Sequence, residues 1–158
     1  MKDAMIVETW EIRDVCYACC IGYDDFRGWI QRREFVPTFS TKQGRERKFN
    51  WLDIAVAASM VDMMPLCMSR DMRGIMGREI RRDLEVRGGI YQERDLYAFQ
   101  VCYHDDDINR LDTRHGMIDG SELWQVLEPT PRWLLIVDVA RAFHNAMGRL
   151  DMDRRIRA

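Results

Sequence analysis

No stretch of this chain approaches the 18 or so uncharged apolar residues that a membrane-spanning helix needs, and residues 1–8 lack the apolar core of a secretion signal. A cytoplasmic protein is expected, with no membrane partner. Histidine is scarce, with three in 158 residues, and there is no GxSxG, no HExxH and no GxxxxGK followed by Ser or Thr. No nucleophile and base can be paired, so an enzyme is not expected, nor is a cofactor. The five cysteines are odd in number and have no framework spacing, which excludes a secreted disulfide scaffold. Cys16 and Cys19 form a CxxC, but their spacing puts them on the buried face of a helix, where they act as small hydrophobes. Around His104, the run 105–107 with Asp112 and His115 could suggest a metal. Consecutive aspartates point in different directions, however, so an acidic solvated loop is expected and no metal site.

What is present is enough apolar residue for a core, 47% of the chain. The organising stretch is residues 11–53. Ile12, Val15, Cys16 and Cys19 fall three and four apart and make one face of a short helix. Ile21-Gly22 breaks the pattern, Asp24 can cap a new start, and Phe26, Trp29 and Ile30 renew the spacing over a second helix, residues 24–33. The period then changes to two. Residues 35–39 and 45–49 on either side of Thr41-Lys42-Gln43-Gly44 predict a small hairpin. Asn50 with Asp53 three residues on has the pattern of a capping box, opening an apolar helix from Trp51 that ends near Pro65. Helix, turn, helix, hairpin, helix is the order of a winged helix-turn-helix.

The whole chain has a net charge of −2, but residues 27–48 hold seven basic side chains against two acidic ones. A DNA duplex presents about one phosphate charge per 1.7 Å of axis. A second helix and a hairpin that both carry arginine are suited to straddle it.

In these residues the chain resembles the DNA-binding domain of MerR-type bacterial regulators and the related excisionase-like winged helices. The resemblance is carried by Ile12-Arg13-Asp14-Val15, Arg27-Gly28-Trp29, Pro37, Gly44-Arg45-Glu46-Arg47-Lys48-Phe49 and Asp53-Ile54. The chain departs from the pattern at Gly28, where the family usually has an aromatic, and at Arg33, where it usually has Gly. The resemblance implies a sequence-specific transcriptional regulator acting as a homodimer on double-stranded DNA and touching the transcription machinery. Expected at the DNA are Tyr23, Asp24, Arg27 and Arg32 from the second helix, with Lys42, Arg45, Arg47 and Lys48 from the wing. An excisionase-like DNA-bending protein is the alternative within the class. The alternative outside it, favoured by Asp24, Asp25 and Gly28, is a winged-helix protein-interaction module without DNA binding.

Beyond the wing, the third helix is apolar nearly all round and should be buried on more than one side, against the rest of the chain or a partner. Ser69 caps a fourth helix that stops at Gly88-Gly89. Residues 96–104 alternate as a strand, residues 122–127 are a second candidate, residues 133–137 read as a buried strand, and Asp138 caps a last helix to Leu150. The fold class is therefore α+β. Residues 9–87 form a winged helix-turn-helix with its following helix, residues 90–150 a small α+β dimerisation or effector region, and residues 151–158 a frayed tail.

Overall fold

The structure, a computed structural model, describes residues 8–41, 45–66, 68–105 and 110–157. Among these are helices α1 (Ile12–Cys19), α2 (Tyr23–Gln31), α3 (Trp51–Met63), α4 (Arg70–Arg87) and α5 (Val139–Arg157), with strands β1 (Leu96–Asp105), β2 (Arg110–Asp119) and β3 (Trp133–Asp138). The class is mixed α+β.

Local chemistry accounts for most helix ends. Asn50 Oδ1 accepts from Asp53 N at 3.1 Å while Asp53 Oδ2 accepts from Asn50 N at 3.1 Å, the reciprocal pair of a capping box. Ser69 Oγ accepts from Met72 N at 3.2 Å, and Gly88 closes α4 with φ 74°. At α5 the Asp138 carboxylate takes Arg141 N at 2.8 Å. One expected cap differs. Gly22 occupies the cap position of α2, so Asp24 and Asp25 lie in its first turn, where their charges favour the helix dipole.

The central element is α3. From Leu52 to Met60 every residue is buried, because α1, α4 and α5 all pack on it. Of the two expected coverings of α3, the rest of the chain supplies one, since α1, α4 and α5 fill these faces. One apolar cluster takes residues from both sides of Gly88-Gly89, including Phe26, Ile54, Met76, Leu84, Leu96, Val137 and Phe143.

Residues 35–41 and 45–49 form no strand ladder among the described residues, so the predicted hairpin is not what holds them; its turn, with Lys42 and Gly44, lies outside the described residues. Their backbone groups are taken elsewhere. Phe49 exchanges both hydrogen bonds with Trp10, at 2.8 and 2.9 Å, while Phe35 N donates to Trp29 O at 3.2 Å, and Thr38 N to Asp53 Oδ1 at 2.9 Å. Phe35 and Phe49 instead pack on Phe26, with ring centroids 5.0 and 5.6 Å apart.

The sheet has strand order β2-β1-β3, antiparallel throughout. Leu96, Ala98 and Val137 face the helices. Tyr97, Phe99, Val101 and Tyr103 share the other face, by the alternation of a strand. Val101 and Tyr103 are buried there, and Tyr103 Oη donates to Val126 O at 3.0 Å. Residues 122–126 of the expected strand 122–127 belong to the 3-10 segment Gly120–Val126 that covers this face, and Leu127 caps it. Most of the acidic stretch expected as a loop is sheet: His104 and Asp105 end β1 and Asp112 and His115 lie in β2, while residues 106–109 lie outside the described residues. The expected frayed tail is helical to Arg157, tied down where Arg149 Nη1 donates to Ala18 O at 2.6 Å and Arg154 pairs with Glu8.

Candidate nucleic-acid interface

Burying Phe26 and Trp29 turns the other side of α2 outward, and Tyr23, Asp24 and Arg27 are exposed on it. Tyr23 and Arg27 are four apart and meet as helical neighbours do, with the Arg27 guanidinium 5.6 Å from the Tyr23 ring centre. Arg47, from an arm over residues 45–49, joins them. A surface cavity of about 350 Å³ is lined by Ile12 of α1, Tyr23, Arg27 and Ile30 of α2, and Glu46 and Arg47. Three separate chain segments thus meet around one concavity.

Arg45 and Lys48, with Glu46 between them, line a second cavity of about 380 Å³ beside Phe39. Lys48 is already committed there. Its ammonium lies 2.9 Å from Glu11 and 3.8 Å from Glu46, and this hydrogen bond holds the Glu11 carboxyl below its ordinary pKa and the Lys48 amine above its own. Both side chains are nearly half exposed, so the pair is weak.

Arg32 is committed as well, since its Nε donates to Glu34 Oε1 at 2.6 Å. Gly28 makes room for it. A Cβ at Gly28 would stand 2.8 Å from Arg32 Nη1, so the glycine is a seat for a folded-back guanidinium and lies buried beneath it. Of the expected DNA-facing residues, Arg27, Arg45 and Arg47 make no ion pair among the described residues. Lys42 lies outside them.

Sequence reading missed Ile12, Ile30 and Glu46 as walls of the concavity. The first two look like core positions by spacing, and Glu46 belongs to an arm whose orientation no local pattern sets. Among the described residues no group of three His, Cys, Asp or Glu side chains could hold a metal ion, and no helix is long and apolar enough to cross a membrane.

No family model matches this chain, and no curated protein matches it.

Proposed function

We propose that this protein is a sequence-specific regulator of transcription that binds double-stranded DNA as a homodimer. The observation that carries the reading is the meeting of Tyr23, Arg27 and Arg47 around one concavity, with both guanidinia free of carboxylate partners among the described residues. A B-DNA major groove about 12 Å wide admits one helix, and α2 is exposed on its outer side. Arg27 offers a bidentate fork to guanine, and Asp24 an acceptor to a cytosine amino group. Arg45 and Arg47 bind phosphates on either side of the arm, Arg32 and Lys48 contributing only by exchanging Glu34 and Glu11 for phosphate. With α3 filled inside the chain, the dimer contact falls to β3. Among the described residues no strand pairs with its outer edge in the order β2-β1-β3, and Trp133 and Ile136, exposed at 44% and 37% on its two faces, are apolar surface that a second copy would cover.

Selection from a randomised duplex library at 50 and 200 mM salt tests this. A sequence should emerge as an inverted repeat, and affinity should fall about a thousandfold between the two salts for some six phosphate contacts. Arg47→Ala should weaken all sequences alike and lower the salt slope by about one, whereas Arg27→Ala should change the preferred sequence. If nothing is enriched and the protein ignores DNA at low salt, the reading falls. A protein-interaction module is favoured by one observation, the exposed Asp24 and Asp25 at the start of α2, and that outcome would point to it.

A further inference from the structure

A second basic cluster gathers beyond the last turn of α2. Arg32 is the C-cap of α2 and Arg33 follows with φ 58°, a left-handed conformation that costs a side chain carrying a Cβ and that glycine takes freely. A cavity of about 270 Å³ opens here, walled by Arg32, Arg33 and Glu34 on one side and by Arg70, Asp71 and Arg78 of α4 on the other. Gly74 lies between the two walls, where a side-chain carbon would make only ordinary contacts. A Cβ there would stand 3.5 Å from the Glu34 backbone and 3.4 Å from Arg78 Nη1.

The charges around this cavity do not balance within the protein. Glu34 is buried, 9% exposed, and shared. Its Oε1 accepts from Arg32 at 2.6 Å, and its Oε2 lies 3.5 Å from Arg73 Nη2, the Arg73 guanidinium being held 5.7 Å from the Trp29 ring centre. Arg33, Arg70 and Arg78 are exposed, and their side chains make no ion pair or hydrogen bond among the described residues. Asp71, the one other carboxylate in the wall, sits in the first turn of α4, where the helix dipole answers its charge. Five guanidinia stand against two carboxylates. Guanidinia that line one cavity suit an oxyanion, because each offers a planar fork of donors to two oxygens at once.

We propose that this cavity is a phosphoryl-binding site, with Arg33, Arg70 and Arg78 as the ligating residues and Glu34 holding Arg32 and Arg73 as its wall. The phosphoryl group comes either from a small phosphorylated molecule or from a nucleic-acid backbone. The site does not depend on the DNA contacts of Tyr23, Arg27 and Arg47.

Titration of the full chain with pyrophosphate, followed by calorimetry and by amide shifts, tests the first source; anisotropy of a labelled random-sequence duplex tests the second. Pyrophosphate should bind saturably and shift the amides of residues 32–34 and 70–78. Arg33→Gly should fold with undiminished thermal stability, since glycine accepts φ 58°, yet weaken the phosphoryl ligand about tenfold or more, and Arg78→Gln should do the same. Arg141→Gln, an equal loss of charge on α5, should change binding less than about twofold. If the two cavity variants leave pyrophosphate binding unchanged but weaken the duplex about tenfold beyond Arg141→Gln, the phosphoryl group is that of a nucleic-acid backbone. The proposal is overturned if pyrophosphate does not saturate and the duplex is indifferent to all three substitutions, or if Arg141→Gln acts as strongly as the cavity variants.

Discussion

Asp53 joins more of this molecule than any other charged side chain described, and removing its charge should cost about 3 kcal/mol. It is fully buried. Its Oδ2 accepts from Asn50 N at 3.1 Å, and its Oδ1 accepts from Thr38 N at 2.9 Å and Arg81 Nη2 at 2.7 Å. Arg81 also donates to Thr38 Oγ1 at 2.7 Å and lies 5.6 Å from the Phe35 ring centre. One carboxylate therefore ties the start of α3, the first arm and the middle of α4. Breaking a buried ion pair from one side costs about 3–5 kcal/mol, because the surviving charge is left uncompensated. Asp53→Asn keeps the volume and the Asn50 cap. It should fall at the lower end of that range, and Arg81→Met, whose loss leaves Asp53 its backbone donors, should cost about 2–3 kcal/mol. With a urea slope of about 2 kcal/mol per molar, Asp53→Asn should lower the unfolding midpoint by roughly 1.5 M. The double variant should be less damaging than the sum by at least about 1 kcal/mol, since neither charge is then stranded. A midpoint shift under about 0.5 M for Asp53→Asn, or effects that simply add, would refute the reasoning.

Two glycines of α4 should respond with opposite sign. Gly74→Ala meets only ordinary contacts at 3.4–3.5 Å and should gain up to about 1 kcal/mol of helix propensity, whereas Gly77→Ala would stand 2.8 Å from the sulfur of the fully buried Met60 and lose about 1 kcal/mol net to overpacking. Melting temperatures should move by about 2–4 °C in opposite directions; a shared sign would show that α3 and α4 are not packed as described. Asp62 is exposed at the surface of α3, yet partial desolvation by its neighbours raises its carboxyl above its ordinary 3.8, against the pull of Arg141 and Arg149 and with Asp138 adding to the rise. A raised native pKa stabilises fully below the unfolded value and loses that stability as pH climbs through the native one. Asp62→Asn should therefore melt higher than the parent at pH 7 and no higher below pH 3.8, and a gain that is the same at both would count against it. Among the described cysteines, Cys20 is exposed while Cys16, Cys19 and Cys102 are buried, and burial pushes the Cys19 thiol far above the usual range. Iodoacetamide followed by mass spectrometry should label Cys20 first and the other three only on unfolding; equal rates would contradict the packing of α1.

Features set within a few residues were legible in the sequence. The capping pair Asn50 and Asp53, the Ser69 cap, the Gly88 stop and Asp138 before α5 all act at i to i+3 or i+4, so the chain carries each signal beside its effect. The helical spacing that buries Val15, Cys16 and Cys19, and the alternation of β1, are equally local. Tertiary structure decided whatever needed a partner far along the chain. Trp10 takes both backbone bonds of Phe49, and with Phe26 claiming the arm's rings the alternation of residues 35–49 makes no ladder among the described residues. β2 has little apolar alternation of its own and exists because β1 supplies its hydrogen bonds. Residues 151–157, polar enough to read as a frayed end, stay helical where Glu8 meets Arg154. The basic side chains of residues 27–48 were visible as a charge excess, but which of them are spent on Glu11 and Glu34, and which meet Arg70 and Arg78 across a cavity, follows from how the chain packs. Charge is additive along a sequence; its neutralisation depends on distances that only the folded chain sets.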